Sequence, residues 1–155
     1  GQEGGIRSGT LPTALCAGFG LAIDIMESER EELVSDTSLL RQLFFEKLTE
    51  QRNEIRLVGP DLGYERHFGN LSICFDGYDA EDLISVMQPK LAVSTGSACT
   101  SGIPEPSHVL TAIGLSEEVS KSVIRFGFGK YTEWSDTIEA MGILTESMNK
   151  IDRRA

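Results

Sequence analysis

The spacing of apolar residues predicts two helices in the first third of the chain. Between residues 15 and 26, large apolar side chains alternate with alanines and glycines, which is typical of a helix that packs closely against neighbours. Thr10 is the expected N-cap of that helix, and Pro12 fits its first turn because proline lacks an N–H that would stay unpaired there. Residues 28–51 form the second predicted helix. Its apolar stripe consists of Leu33, Leu40, Leu43, Phe44 and Leu48.

Beyond residue 53 the pattern changes to the alternation that is typical of strands. The predicted strands are 55–58, 71–75, 91–93 and 123–128. Short helices are expected to end at Met87 and at Ile113, and Thr132 is the expected cap of the last helix. The inner face of that helix should carry Ile138, Met141, Ile143 or Leu144, Met148 and Ile151. This order predicts an α/β fold, an α+β sandwich in which helices cover a small sheet.

Composition narrows the functional classes. The 155 residues are 40% apolar and 25% charged, as in ordinary globular domains, and the net charge of −10 argues against nucleic acid as a partner. No apolar run is long enough to cross a membrane. Three cysteines without CxxC or zinc-ligand spacing favour a reducing compartment and predict no metal site. The chain lacks an initiator Met and a signal peptide, so we expect a piece of a longer protein.

Three places could carry chemistry. Cys99 lies in a predicted loop of small residues, which leaves a thiol accessible, whereas Cys74 and Cys16 are expected to be buried in a strand and a helix. Arg125 interrupts an apolar strand, so it either faces solvent or binds a carboxylate or phosphate. The glycine-rich residues 5–10 run into a helix start and could bind an anion.

These places belong to three segments with a recognisable order. The first is Gln2-Glu3, Gly5 and Arg-Ser-Gly-Thr-Leu-Pro at residues 7–12. The second is Ser-Thr-Gly-Ser-Ala-Cys-Thr-Ser at 94–101 with Pro-Ser-His-Val-Leu at 106–110, and the third is Ser-Val-Ile-Arg-Phe at 122–126. Together they resemble the cysteine desulfurases of the NifS and IscS type, which are class V aminotransferases and fold-type I pyridoxal phosphate enzymes. The resemblance covers nearly the whole chain.

The resemblance implies a domain layout and a reaction. Residues 1–26 would link to a large cofactor domain, and residues 27–155 would form the C-terminal small domain with the active-site cysteine loop at 94–106. In this family L-cysteine is bound by pyridoxal phosphate, and the loop cysteine, here Cys99, takes its sulfur as a persulfide and leaves L-alanine. Arg125 would bind the substrate carboxylate.

The same resemblance implies partners and a location. Thr10, Arg7 and Gly9 would contact the cofactor phosphate of the other subunit in a homodimer. The persulfide sulfur would pass to an acceptor protein, such as an iron–sulfur scaffold or a tRNA-thiolating protein. The compartment would be the cytoplasm, or the mitochondrial matrix in a eukaryote.

The chain departs from the family in lacking the cofactor lysine, because none of its five lysines stands in the expected context. We therefore expect the isolated chain to be inactive. Several alternatives stay open: a selenocysteine lyase, a class V aminotransferase domain that does not need Cys99, a sulfur carrier that works without cofactor, or an inactive fragment. In the last case the apolar first helix would be exposed and would self-associate.

Overall fold

The computed structural model describes residues 2–6, 8–63, 65–96 and 107–151, so Arg7 and Cys99 lie outside the described residues. The chain divides into two compact units, Gly1–Leu33 and Val34–Ala155, which we call unit 1 and unit 2. The helices are α1 (Thr13–Ser28), α2 (Arg30–Gln51), α3 (Ala80–Met87), α4 (His108–Ala112), α5 (Glu117–Ser120) and α6 (Trp134–Lys150). The strands are β1 (Ile55–Leu57), β2 (Asn70–Phe75), β3 (Ser94–Thr95) and β4 (Val123–Gly127).

In unit 1, α1 is an apolar helix with no buried residue. Its N-cap position is Pro12, so the predicted cap Thr10 is wrong. The Pro12 carbonyl accepts the first helical hydrogen bond, from Cys16 N at 3.0 Å, and residues 8–11 directly before it are not helical. A short 3-10 helix lies further upstream, at Gln2–Gly5. The exposed large apolar side chains of this helix are Leu15, Phe19, Leu21, Ile23, Ile25 and Met26.

Unit 2 is built on a four-stranded antiparallel sheet with the strand order β1-β2-β4-β3. The predicted strand at 91–93 is wrong, because β3 is Ser94–Thr95 and pairs with the middle of β4. Leu91 and Val93 pack their side chains against the core without joining the hydrogen-bonded ladder. The predicted arrangement of helices over a small sheet is confirmed.

One face of the sheet carries the main core. Alternate residues of the strands point to this face, where they meet buried side chains of α2, α3 and α6. The buried members include Phe44 and Leu48 of α2, Leu83 of α3, Leu144 of α6, and Leu71, Ile73, Phe75, Ile124 and Phe126 of the strands. Apolar burial on this scale fixes which face of each strand is inward.

The opposite face of the sheet is covered at one end. There Cys74 of β2 and Val123 of β4 lie side by side and pack with Val58 and with Leu110 of α4. Further along the same face, Arg125 and Gly127 of β4 are exposed. The short helices α4 and α5 therefore leave part of this face accessible to solvent.

The start of α6 differs from the predicted one by a single position. Glu133 is the N-cap, and it forms a capping box in which Asp136 accepts a hydrogen bond from Glu133 N at 2.8 Å. Thr132 instead accepts a hydrogen bond from Gly129 N at 3.0 Å. Ile138, expected on the inner face, is 50% exposed, whereas Leu144 and Met148 are buried as predicted.

Two buried arginines, which the sequence patterns did not single out, hold the loop between β1 and β2. Arg41 of α2 donates to Leu62 O at 2.7 Å and to His67 O at 2.9 Å. Arg66 donates to Val58 O at 2.6 Å and to Pro60 O at 2.9 Å. Burial lowers the pKa of both guanidinium groups. These bonds fix the point at which the chain enters β2.

Gly69, directly before β2, packs closely against the backbone of Phe128. A Cβ at Gly69 would lie 2.3 Å from Phe128 O, a backbone atom that cannot move away cheaply. We expect Gly69→Ala to lower the free energy of unfolding by about 1–3 kcal/mol. The control is Gly142→Ala in α6, where a Cβ meets nothing within 4 Å, and this change should raise stability by about 0.4–1 kcal/mol. Urea unfolding of both variants measures the difference, and equal effects would contradict the packing.

Candidate functional site

Arg125 is the candidate binding residue that the structure describes fully. It lies in β4 between two neighbouring strands, opposite Ser72 of β2 and Ser94 of β3. Within the described residues its guanidinium has neither a hydrogen bond nor an ion pair. An exposed guanidinium without a protein acceptor is suited to a carboxylate or phosphate, which it can bind through two parallel N–H groups.

The alternation of β4 explains why Arg125 points away from the core. Ile124 and Phe126, its neighbours in sequence, are buried on the main core face. Arg125 therefore occupies the opposite face, as the sequence indicated for an arginine in an apolar strand. Ser72 and Ser94 share that face because cross-strand partners point the same way.

The chain enters and leaves the cysteine segment beside the same face. Gly96, three residues before Cys99 in sequence, packs so closely on α4 that a Cβ there would lie 2.5 Å from Leu110 Cδ1. Leu110 in turn packs with Val123 of β4, and Ser107, at the start of α4, is buried. Both described ends of this segment are thus anchored near β4. Cys99 itself lies outside the described residues.

The other two cysteines have opposite environments. Cys74 is fully buried in β2, as predicted, and its Sγ donates to Asp76 Oδ1 at 3.2 Å. Burial, together with this hydrogen bond to Asp76, raises the pKa of the Cys74 thiol to about 12. Cys16 is exposed on α1, so its predicted burial is wrong. No residue of α1 is buried, including the small residues around Cys16.

An ion pair accompanies Cys74 at the sheet edge. Arg56 Nε lies 2.7 Å from Asp76 Oδ2, and Arg56 Nη2 lies 3.4 Å from Cys74 Sγ. The hydrogen bond from Arg56 lowers the pKa of the Asp76 carboxyl below its usual range, and the bond from Cys74 acts in the same direction. Burial and the hydrogen bond to Asp76 keep the Cys74 thiol protonated at neutral pH, although Arg56 acts in the opposite direction, and a protonated thiol is a poor nucleophile.

The glycine-rich segment lies in unit 1. Glu3, Gly4, Gly5 and Gly9 all have positive φ angles, which accounts for the glycines at three of these positions. Thr10 is exposed, and α1 begins beyond it at Thr13. The predicted anion site therefore has exposed backbone and a hydroxyl, but its arginine, Arg7, falls outside the described residues.

The lysines do not complete a pyridoxal phosphate site. Lys47, Lys121 and Lys150 pair with glutamates on their own helical turns at 2.8, 2.9 and 2.6 Å, respectively. Lys90 and Lys130 are exposed. An attachment lysine needs a protected position with a lowered pKa, so the described lysines do not fit that role.

An apolar cavity that the sequence did not reveal lies against the core side of β4. Its volume is about 400 Å³, and its lining includes Phe44, Phe126 and Phe128 together with Lys130 and Asp136. Phe126 points to the main core face, so this cavity and Arg125 belong to opposite faces of the sheet.

In the described ranges no helix could span a bilayer. No group of three His, Cys, Asp or Glu side chains there could hold a metal ion.

Comparisons with known proteins cover nearly the whole chain. The family model for aminotransferase class-V matches residues 1–140. The cysteine desulfurase IscS of Rickettsia rickettsii is 39% identical over 97% of this chain and 36% of its own length. The corresponding protein of Rickettsia typhi is 40% identical with the same coverage. The chain therefore spans about 36% of the length of these curated relatives.

Solved structures agree with the fold. The X-ray structure of a NifS-like protein from Rickettsia africae matches with a TM-score of 0.79 and 27% identity, over 96% of this chain and 38% of that protein. A second NifS-like protein matches with a TM-score of 0.80 at 23% identity, over 97% of this chain and 37% of that one, which supports the fold alone.

Thiol alkylation tests the environments of the two described cysteines. At neutral pH we expect iodoacetamide to modify Cys16 readily, because it is exposed. Cys74 should stay unmodified until the chain is unfolded, because it is buried with a pKa raised to about 12. Peptide mass mapping before and after urea treatment measures both rates. Similar rates in the folded chain would contradict the packing around Cys74.

The Arg56–Asp76 pair predicts a pH dependence of stability. Because the folded-state pKa of Asp76 is lowered, its contribution is fully present above about pH 4 and is lost as the pH falls through the folded value. We expect Asp76→Asn to reduce the free energy of unfolding at pH 7 by up to about 1 kcal/mol, since water screens this half-exposed pair. Urea unfolding between pH 7 and 3 should show the difference shrinking. A difference independent of pH would refute the assignment.

Proposed function

The chain belongs to the aminotransferase class-V family, and we propose that it is the C-terminal, small-domain part of a cysteine desulfurase. The reaction would remove sulfur from L-cysteine and release L-alanine. The resemblance of the cysteine segment and the 39% identity to the Rickettsia rickettsii desulfurase support this reading. The layout of a linking segment at residues 1–26 and a small domain at 27–155 is part of the same proposal.

The observation that carries the proposal is the exposed guanidinium of Arg125, which pairs with no other described residue and lies on the face where both described ends of the cysteine segment are anchored. An α-amino acid offers a carboxylate that this guanidinium can bind through two N–H groups. Gly96 anchors the segment next to the same face, where a Cβ would collide with Leu110. Cys99 is three residues further on in the sequence. We propose that it acts on a substrate whose carboxylate is bound to Arg125.

Cys99 would be the nucleophile. Its thiolate attacks the sulfur atom of L-cysteine, so an S–S bond forms on Cys99 as the substrate C–S bond breaks. The electron pair left on the substrate carbon then takes up a proton, and L-alanine leaves. Pyridoxal phosphate, when bound, supplies the electron sink for that pair. A thiolate fraction at neutral pH is needed for this attack.

The cofactor lysine would come from outside this chain, because the described lysines do not fit the role. Thr10, Gly9 and Arg7 would contact the cofactor phosphate of a second subunit, since exposed backbone N–H groups and a hydroxyl suit an anion. We propose a homodimer for the whole enzyme. The sulfur would pass to an acceptor protein that serves iron–sulfur cluster or thio-tRNA synthesis. The cysteine must be a free thiol between turnovers, so the proposed compartment is the reducing cytoplasm.

A chimera tests the role of Cys99. In it, these 155 residues replace the matching part of the Rickettsia rickettsii desulfurase. We expect the chimera to release L-alanine from L-cysteine and to carry one extra sulfur on Cys99, as measured by peptide mass. Cys99→Ser should abolish both, and Cys16→Ser, at an exposed position of α1, should change neither. Full activity of Cys99→Ser would favour an aminotransferase or lyase and would sink the desulfurase proposal.

Substrate kinetics in the same chimera test Arg125. We expect Arg125→Lys to raise KM for L-cysteine by about tenfold or more, because lysine keeps the charge but cannot make the two parallel bonds. Arg56→Lys is the matched control, since Arg56 is another arginine of the sheet but pairs with Asp76. A KM that is equal in the two variants would argue against Arg125 as the carboxylate-binding residue.

A further inference from the structure

The arginines of unit 2 differ in how their charge is matched. Arg41 and Arg66 are held by backbone carbonyls, Arg52 lies 3.4 Å from Glu54, and Arg56 lies 2.7 Å from Asp76. Within the part of unit 2 that the structure describes, Arg125 is the arginine without such an acceptor. Among the described arginines of unit 2, Arg125 is thus the one available to a ligand.

The immediate neighbours of Arg125 are two serines. Ser72 of β2 and Ser94 of β3 are its direct cross-strand partners, one on each side, and both are half-buried. Directly opposed residues have Cβ atoms about 5 Å apart, so both serine side chains are direct neighbours of the Arg125 side chain. A serine hydroxyl donates a hydrogen bond without adding charge. Acidic neighbours would neutralise the guanidinium, as Asp76 does for Arg56, whereas these two do not.

The same face provides room beyond the serines. Gly127, two residues after Arg125 in β4, is exposed, and a Cβ there would meet nothing within 4 Å. Among the described residues, none therefore covers the strand at this position. The described part of this face combines two neutral hydroxyl donors with a guanidinium that pairs with no described residue.

We propose that Ser72 and Ser94 are specificity-determining residues that bind the carboxylate of an α-amino acid together with Arg125. This inference rests on the proposed function, in which Arg125 binds the substrate carboxylate. A carboxylate has about four acceptor positions, and one guanidinium fills two of them. The serine hydroxyls fill others, so the face selects ligands with a free carboxylate over their amides.

Nuclear magnetic resonance of the 155-residue chain tests this without cofactor or turnover. The probes are L-alanine, which is the product of the proposed reaction, and L-alaninamide, which lacks the carboxylate. The reporters are the Arg125 Nε–Hε signal and the backbone amides of Ser72 and Ser94. We expect L-alanine to shift these signals in a saturable way and L-alaninamide to leave them unchanged.

Three kinds of variant separate the contributions. Ser72→Ala and Ser94→Ala should each weaken L-alanine binding by about two- to tenfold, the range expected for one lost hydrogen bond. Ser94→Thr keeps the hydroxyl and suits a strand, so it should bind like the parent chain. Ser85→Ala, at an exposed position of α3, is the matched control and should change nothing. The amide spectrum of each variant reports whether it is folded.

The outcomes separate the role of the two serines from that of Arg125. If both serine-to-alanine variants bind like the parent while Arg125→Lys does not, the serines have no role and the inference is overturned, although Arg125 keeps its own. If the parent chain does not distinguish L-alanine from L-alaninamide, the inference is overturned as well. In that case sulfur transfer to Cys99 in the chimera still decides the proposed function independently.

Discussion

Five residues of β2 pair in sequence with five residues of β4, from Asn70 opposite Gly127 to Cys74 opposite Val123. This pairing is the constraint on which the rest of unit 2 depends. A slip by one residue would turn every side chain of β4 to the other face. Ile124 and Phe126 would leave the core, and Arg125 would become a buried charge without an acceptor, which is costly. Burial of the two apolar residues therefore holds the arginine in its exposed position.

The loop before β2 protects that register. Arg41 and Arg66 donate hydrogen bonds to backbone carbonyl groups between residues 58 and 67. These hydrogen bonds fix where β2 starts. Gly69 then brings the backbone close enough for Phe128 N to donate to Gly69 O at 2.8 Å. The packing of one face and the bonding of one loop thus set the geometry of the opposite face, where the candidate chemistry lies.

Much of this could be predicted from sequence because strong periodicity has a direct physical cause. The helical spacing of α2 and the alternation of β2 and β4 arise from one buried face each, and they were assigned correctly. The buried position of Arg41 was missed, although Thr37, Arg41, Phe44 and Leu48 are all buried at helical spacing. The hydrophobic pattern instead placed the neighbouring Leu40 on the inner face of the helix. The backbone carbonyl groups that accept hydrogen bonds from Arg41 become apparent only in the folded structure.

The wrong predictions also arise because a local sequence pattern does not show which partner a residue meets in the fold. Leu91 and Val93 look like a strand because they are apolar and alternate, but ladder pairing belongs to the polar Ser94–Thr95 that follows. Cys16 looks buried because its neighbours are small, yet it is exposed and no residue of α1 is buried. The cavity beside Phe128 is formed by α2, β4, α6 and the residues before β3. Because these segments are far apart in the sequence, no local sequence pattern predicts the cavity.

The central claim is that Arg125 stands on the exposed face of β4, between Ser72 and Ser94. Backbone nuclear Overhauser effects across the strands measure this most directly. We expect cross-strand contacts between Ser72 and Arg125 and between Arg125 and Ser94. Contacts of Arg125 with Leu71 or Ile73 as direct partners would mean a register shifted by one residue. That result would place the guanidinium on the core side and contradict the account.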